Sequence, residues 1–321
     1  MGVSRTLAVR RFTSMDPLLF LTQALNGLQL GVMLFLLAAG LTLVFGIMNL
    51  VNLAHGSLYM VGAYLMAAFQ GWTGSFVLAL LLAVPATLLV GVVVELIVLR
   101  RLYDRDHLDQ VLATFGLILF FNELVRVIWG PAALFVSIPP ALEGTVVIVP
   151  GAPYPIYRLA IIVVGLAVAG FLSWLVTRTR TGALIRAGAA NRTMVAALGI
   201  DIGLLFTLVF GLGAALAGLA GAMAAPLLSV ESGMGDGVLI LTFVVIVIGG
   251  VGSIRGAFVA AVLVGVVDTV GRAFLPILLR EIFNRSVANA AGPALASMLI
   301  YLLMAAILAF RPRGLFGARN G

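Results

Sequence analysis

Two short interruptions in an otherwise apolar chain carry most of the side chains that could handle a polar solute. The first, GIMNLVNLAHGS (Gly46–Ser57), gathers Asn49, Asn52, His55 and Ser57 within about three helical turns, with Tyr59 just beyond. The second, GGVGSIRG (Gly249–Gly256), places Gly249, Gly250 and Gly252 beside Arg255. Each is followed by a small-residue helix start, HGSLYMVGAYL in one case and GSIRGAFVAAVLVG in the other. The two look like copies of one helix–break–helix unit. Irregular backbone at membrane depth is tolerated only where it is buried in protein or lines a wet cavity. Paired glycine-interrupted segments in two halves of a chain point to a solute pathway. Asn49, Asn52, His55, Ser57, Tyr59, Gly249, Gly250 and Gly252 are therefore the candidates for lining one. The plainer reading stays open beside it: asparagines and serine as interhelical hydrogen-bond partners, His55 as a cap or packing residue, the glycines as hinges or close-packing positions.

Charges inside the apolar stretches are few. Glu123 and Arg126 are three apart and Asp268 and Arg272 four apart, spacings that put each pair on one helix face. A lone charge at mid-bilayer is costly. These pairs neutralise themselves near the ends of apolar stretches, so they read as structural intramembrane ion pairs rather than gates. Glu95 has no partner in its own helix and lies about one turn before Arg100, which reads as an interfacial position. Covalent chemistry finds no support. The two histidines, His55 and His107, lie on different segments, and HExxH, GxSxG, paired-aspartate and Walker A sequences are all lacking. There is no cysteine, and all 19 basic residues are arginine, which removes thiol and Schiff-base lysine chemistry. The chain reads as no enzyme, with no metal site and no cofactor of its own.

The elements that must position these residues follow from composition. Of 321 residues, 63 % are hydrophobic and only 10 % charged, against about 25 % charged in soluble proteins; the mean hydropathy is +1.21. The apolar blocks run to roughly 18–25 residues, enough to cross a hydrocarbon core of about 30 Å. The expected fold is an all-α polytopic transmembrane bundle of about eight to nine spans, with broken helices in two repeated halves. The 37 glycines suit tightly packed membrane helices. After a lead-in turn from Leu18, spans are expected at 29–46, 57–70, 76–99, 111–129, 158–176, 204–228, 238–249, 256–275 and 293–310. The net charge of +7 comes from arginines at helix ends and reports orientation, not nucleic acid. The positive-inside rule puts the 100–110 and 177–203 loops and the C-terminus in the cytoplasm and the 130–157 loop outside. Counting back places the N-terminus outside, against Arg5, Arg10 and Arg11. That conflict goes if residues 1–14 are an extension before a natural start at Met15, leaving 15–321 as a single transmembrane domain; otherwise the 57–70 segment is re-entrant.

The 177–203 loop contains TGALIRAGAANRTMVAALGIDIG (Thr181–Gly203), an alanine-rich stretch expected to be helical over 182–198 and closed by Gly199 in the C′ position. Met194, Val195 and Leu198 form a small apolar face while Arg186 and Arg192 stay polar. Such a helix fits the groove of a soluble partner or lies on the bilayer surface.

These stretches resemble a known family. NGLQLGVMLFLLAAGLTLVFGIMNLVNLAHGSLYMVGAYL (Asn26–Leu65), the 181–203 segment, VIGGVGSIRGAFVAAVLVG and the terminal RPRGLFG (Arg311–Gly317) are similar to the LivH-type permease subunit of bacterial branched-chain (hydrophobic) amino-acid ABC importers. The resemblance covers nearly all of the chain from Met15. It implies a multi-pass bacterial inner-membrane subunit that moves such amino acids by alternating access, with a sister permease, two ATP-binding cassette subunits that hold the ATP and Mg, and a periplasmic substrate-binding protein. It also implies that 177–203 is a coupling loop, with Arg186, Asn191, Arg192, Met194, Leu198, Gly199 and Asp201 toward the ATPase. Family members often carry acidic residues where Ala190, Asn191 and Arg192 stand here. A urea or short-chain amide permease has the same architecture and is the alternative; a passive channel or secondary carrier is a more distant one, and the lack of unpaired intramembrane carboxylates speaks against proton coupling.

Overall fold

The computed structural model describes residues 17–149 and 152–317, so the 1–14 extension lies outside the described residues. Ten α-helices make up most of it: α1 (Pro17–Met48), α2 (His55–Thr73), α3 (Phe76–Ile97), α4 (His107–Trp129), α5 (Ile156–Arg178), α6 (Arg180–Ala197), α7 (Ile202–Ala224), α8 (Met234–Gly249), α9 (Ile254–Leu279) and α10 (Arg285–Phe310). A short antiparallel hairpin, β1 (Thr145–Val149) with β2 (Ala152–Pro155), sits in the connection between α4 and α5. Seven helices, α1, α3, α4, α5, α7, α9 and α10, are long and apolar enough to cross a bilayer. Between them lie α8, apolar but only 16 residues long, and α2, whose first turn holds His55 and Ser57 of the first break. The protein is a polytopic helical membrane bundle.

The centre of the bundle is α1. From Gly31 to Val44 every residue is buried, on all faces of the helix. A helix that is apolar all round belongs inside, and here α5, α7, α8 and α9 pack around it. They approach closely because glycines remove the side chains between them. Against α9, a Cβ added at Gly27 would stand 2.6 Å from Val266 Cα, and one at Gly31 2.7 Å from the Ala261 carbonyl oxygen. On the other side, Gly62 of α2 lies against Gly218 of α7, and a Cβ on Gly218 would also stand 2.6 Å from the Thr87 side chain of α3.

Helix ends follow local capping rules. Ser75, Asp201, Ser253 and Asn284 each accept a backbone N–H three residues on, starting α3, α7, α9 and α10. The 276–292 stretch, expected between two spans as a loop with Arg280, Glu281 and Arg285, is mostly helix: α9 runs through Pro276 to Leu279 and α10 begins at Arg285. The reason is that the two breakers meet each other, Pro276 packing against the bare Gly292 backbone. Likewise α1 is helical from Pro17, with no separate lead-in turn.

The two ends of the bundle differ in charge. Gly46 approaches Gly252, Gly188 rests on Ile47 and Leu205, and Leu315 and Phe316 donate to the carbonyls of Ile248 and Gly249. The 98–106, 179–201, 250–253 and 311–317 connections therefore share one end, which carries Arg100, Arg101, Arg105, Arg180, Arg186, Arg192, Arg255, Arg311 and Arg313. The hairpin and the turn 74–75 belong to the other.

Replacing Gly31 with leucine forces α1 away from the α9 backbone, an overpacking cost of about 1–3 kcal/mol or more. The variant should lose its monodisperse peak in fluorescence size-exclusion in mild detergent. Gly116→Leu, on the exposed face of α4 with open space around it, should keep that peak.

Candidate functional site

The two breaks lie side by side at the arginine-rich end, where Gly46 and Gly252 come within van der Waals range. They are built differently. After Met48 the chain turns at Asn49, whose φ of 53° is the left-handed conformation that asparagine tolerates better than most residues. Asn49 itself is exposed. Residues 50–54 then climb back into the bundle, so α2 starts inside it. Asn52, His55 and Ser57 are buried there, and neither the Asn52 amide nor the Ser57 hydroxyl has a hydrogen-bond partner. The His55 ring reaches the bare backbone at Gly40. It also makes no hydrogen bond of standard geometry. Buried polar groups are normally satisfied, and unpaired ones cost about 1–3 kcal/mol each. Among the described residues, most of the unpaired buried side-chain atoms belong to Asn52, His55 and Ser57; the others are Thr42 Oγ1, Gln110 Oε1 and the Tyr154 hydroxyl.

The second break is a packing joint. Gly250 and Gly252 have φ of 97° and 81°, open to glycine. Gly249 lies on the Gly256 backbone, and a Cβ on Gly250 would stand 2.6 Å from the Gly317 nitrogen. The RPRGLFG tail docks on the end of α8 through these bare backbones.

Tyr59 is separate from both. One turn along α2 from His55, it lines a cavity of about 380 Å³ between α1, α5, α8 and α9, shared with Gln23, Asn26, Gln29, Arg158 and Thr269. Sequence reading passed over those polar residues. A signal was available: Gln23, Asn26 and Gln29 recur every third residue, one stripe of a helix otherwise apolar there.

The charged pairs have distinct settings. Glu123 and Arg126 are 3.0 Å apart on an exposed face of α4. Asp268 is buried and accepts from Arg272 at 2.8 Å, while Arg272 also donates to Ser297 of α10. Glu95, expected at an interface, is instead fully buried. Tyr103 donates to Glu95 Oε1 at 2.6 Å, Arg100 Nε lies 3.3 Å from the same oxygen, and Thr207 Oγ1 of α7 lies 2.8 Å from Oε2. Arg100 also donates to Thr207 at 2.7 Å. A buried carboxylate is tolerable only when paired and hydrogen-bonded in this way. Burial, then the Glu95 hydrogen bond and charge, push the Tyr103 hydroxyl above the usual phenol range. The cluster ties α3 and the 98–106 turn to the start of α7.

Beside it lies α6, with Gly182, Ile185, Gly188 and Val195 turned inward onto α5, α1 and α7. It spans Arg180–Ala197, two residues earlier at its start than expected, and it bends at Asn191, whose side chain accepts from Met194 N and caps the second half. Gly199 closes it with φ of 81°. Arg186, Asn191, Arg192, Gly199 and Asp201 are all exposed. So are two apolar side chains, Met194 at 59 % and Leu198 at 73 %.

Comparison with known proteins gives one family. Residues 23–308 match the family described as branched-chain amino acid transport system / permease component. The chain is 31 % identical to the high-affinity branched-chain amino acid transport system permease protein BraD of Pseudomonas aeruginosa, over 93 % of this chain and 96 % of that one. It is 28 % identical to the corresponding permease protein LivH of Escherichia coli, covering 80 % of this chain and 88 % of LivH. A probable LivH of Methanocaldococcus jannaschii is 27 % identical over 74 % and 76 % of the two chains. No solved structure matches the chain.

Tyr103→Phe removes one donor from a buried carboxylate and should lower thermal stability in detergent by about 1.5–3 kcal/mol, the worth of a hydrogen bond to a charged group. Tyr301→Phe, on an exposed face of α10, should stay within about 0.5 kcal/mol of the parent.

Proposed function

We propose, from the premise that this chain belongs to the permease-component family of branched-chain amino acid transport systems, that it is the membrane-spanning permease subunit of an ATP-driven importer. Its cargo is branched-chain or other hydrophobic amino acids, and its membrane is the bacterial inner membrane. A sister permease completes the pathway, two ATP-binding cassette subunits hold ATP and Mg, and a periplasmic binding protein delivers substrate. The names of the relatives, each a transport permease matched over most of its length, support the cargo.

The single structural observation that supports an external motor is the surface of α6. Exposed Met194 and Leu198, flanked by Arg186 and Arg192, offer an apolar contact at the arginine-rich end, which the positive-inside rule assigns to the cytoplasm. The helix leans on α1, α5 and α7, so a push on it reaches the helices around the first break. In this reading ATPase closure moves α6, and the bundle rocks about the broken helices to open alternately on either side. Asn49, Asn52, His55, Ser57 and Tyr59 lie along the moving segment, and the unpaired Asn52 and Ser57 are groups that a second arrangement can satisfy.

Two measurements test the proposal. Proteoliposomes holding the whole complex should take up radiolabelled leucine only with ATP and binding protein, and should not take up urea; urea uptake without leucine uptake would transfer the assignment to an amide permease. Met194→Asp with Leu198→Asp should cut co-purification of the ATPase subunits about tenfold while leaving the permease folded. Full stoichiometric recovery would mean that α6 is not the dock.

A further inference from the structure

The cavity that Tyr59 lines has a chemistry of its own. It measures about 380 Å³, inside the range of roughly 300–1,000 Å³ in which small-molecule sites fall. One side is polar, with Arg158 of α5 and the Gln23, Asn26 and Gln29 stripe of α1. The apolar lining comes from Leu227, Leu228 and the α8 residues Val238 and Leu241, with Leu30, Met33 and Leu34 of α1 beside the polar stripe.

Arg158 is the unusual member. It lies in the first turn of α5 and is partly buried. No carboxylate of the described residues forms an ion pair with it. Its Nη1 donates to Asn26 Oδ1 at 2.6 Å, and Asn26 Nδ2 in turn donates to Gln23 Oε1 at 3.1 Å. These amides aim the guanidinium without neutralising it. A planar guanidinium has five N–H donors, and its preferred partner is a bidentate oxyanion. Among the described residues the cavity thus holds one positive charge with no carboxylate paired to it, together with a branched aliphatic lining. The described lining offers neutral acceptors for an ammonium group and no carboxylate.

We propose that this cavity is the amino-acid subsite of the permease, in which Arg158 takes the carboxylate of the cargo and the Leu227–Leu228 and α8 wall takes its side chain. The proposal rests on the reading given under Proposed function and adds what that reading lacks, a place for the cargo. It carries a selectivity. The carboxylate is read by a charge and the ammonium only by neutral groups, so loss of the carboxylate costs more than loss of the amine.

The test uses the assembled complex. Leucine uptake by the parent complex comes first; its absence overturns the cargo assignment and not the cavity. With uptake present, Arg158→Gln should lower it about tenfold or more, the size expected for one charge-assisted hydrogen bond, and Arg158→Lys should restore part of it. Val238→Trp, which fills the cavity from the apolar side and leaves the Arg158–Asn26 pair alone, should block uptake without Arg158 being touched. Binding to the complex without its binding protein should be competed by 4-methylpentanoate far better than by leucinamide, and Arg158→Gln should abolish that preference. Unchanged uptake in either Arg158→Gln or Val238→Trp, or equal competition by the two analogues, overturns the proposal.

Discussion

Everything in this bundle depends on how closely its helices can approach α1. In a bilayer the backbone must satisfy its own hydrogen bonds, and lipid is as apolar as leucine, so helices gain little from merely hiding apolar side chains from one another. What remains is contact. Gly27, Gly31 and Gly40 on α1, Gly62 on α2, Gly213, Gly218 and Gly221 on α7 and Gly265 on α9 each bring bare backbone onto a neighbouring helix. That contact encloses α1 from Gly31 to Val44, and the position of both breaks follows from it.

The same tight packing explains where polar groups can be afforded. Glu95 survives in the interior because three side chains point donors at it. Asp268 survives because Arg272 is one turn away and itself anchored on Ser297. Asn52 and Ser57 have no such partners. Their cost falls on the segment where α2 begins inside the bundle, next to the close approach of the two halves. An element that carries unpaid hydrogen bonds in one arrangement is one that a second arrangement can stabilise, which suits a joint that must move. Arg158 differs again, since its amide partners orient it and no carboxylate of the described residues pairs with it.

Much of this was legible in the residues. The apolar blocks showed the spans, GIMNLVNLAHGS and GGVGSIRG showed the breaks, and Thr181–Gly203 showed a short helix closed by Gly199, because each rests on local chemistry that reads along the chain. Other features were not. The stretch 276–292 reads along the chain as a loop between two spans, and only the contact of Pro276 with Gly292 lets α9 and α10 run so close. Glu95 looked unpaired because all three of its partners, Arg100, Tyr103 and Thr207, lie outside its helix, the last 112 positions along. The stripe Gln23, Asn26 and Gln29 was visible as a pattern, yet nothing along the chain said that it would face Arg158.

The sequence by itself determined that this protein is a glycine-rich helical membrane bundle, interrupted at two places, with its basic residues gathered at helix ends and a short helix in the 177–203 loop. Only the tertiary structure decided which helix is central, which glycines touch backbone, and which polar groups share a cavity. The physical reason is that hydropathy cannot distinguish lipid from protein interior. The 18-residue apolar core of α3 is as apolar as that of α1, yet 22 % of its residues are buried against 83 % in α1. A residue's depth in such a bundle is set by the shape of its neighbours, and shape is a property of the assembled helices.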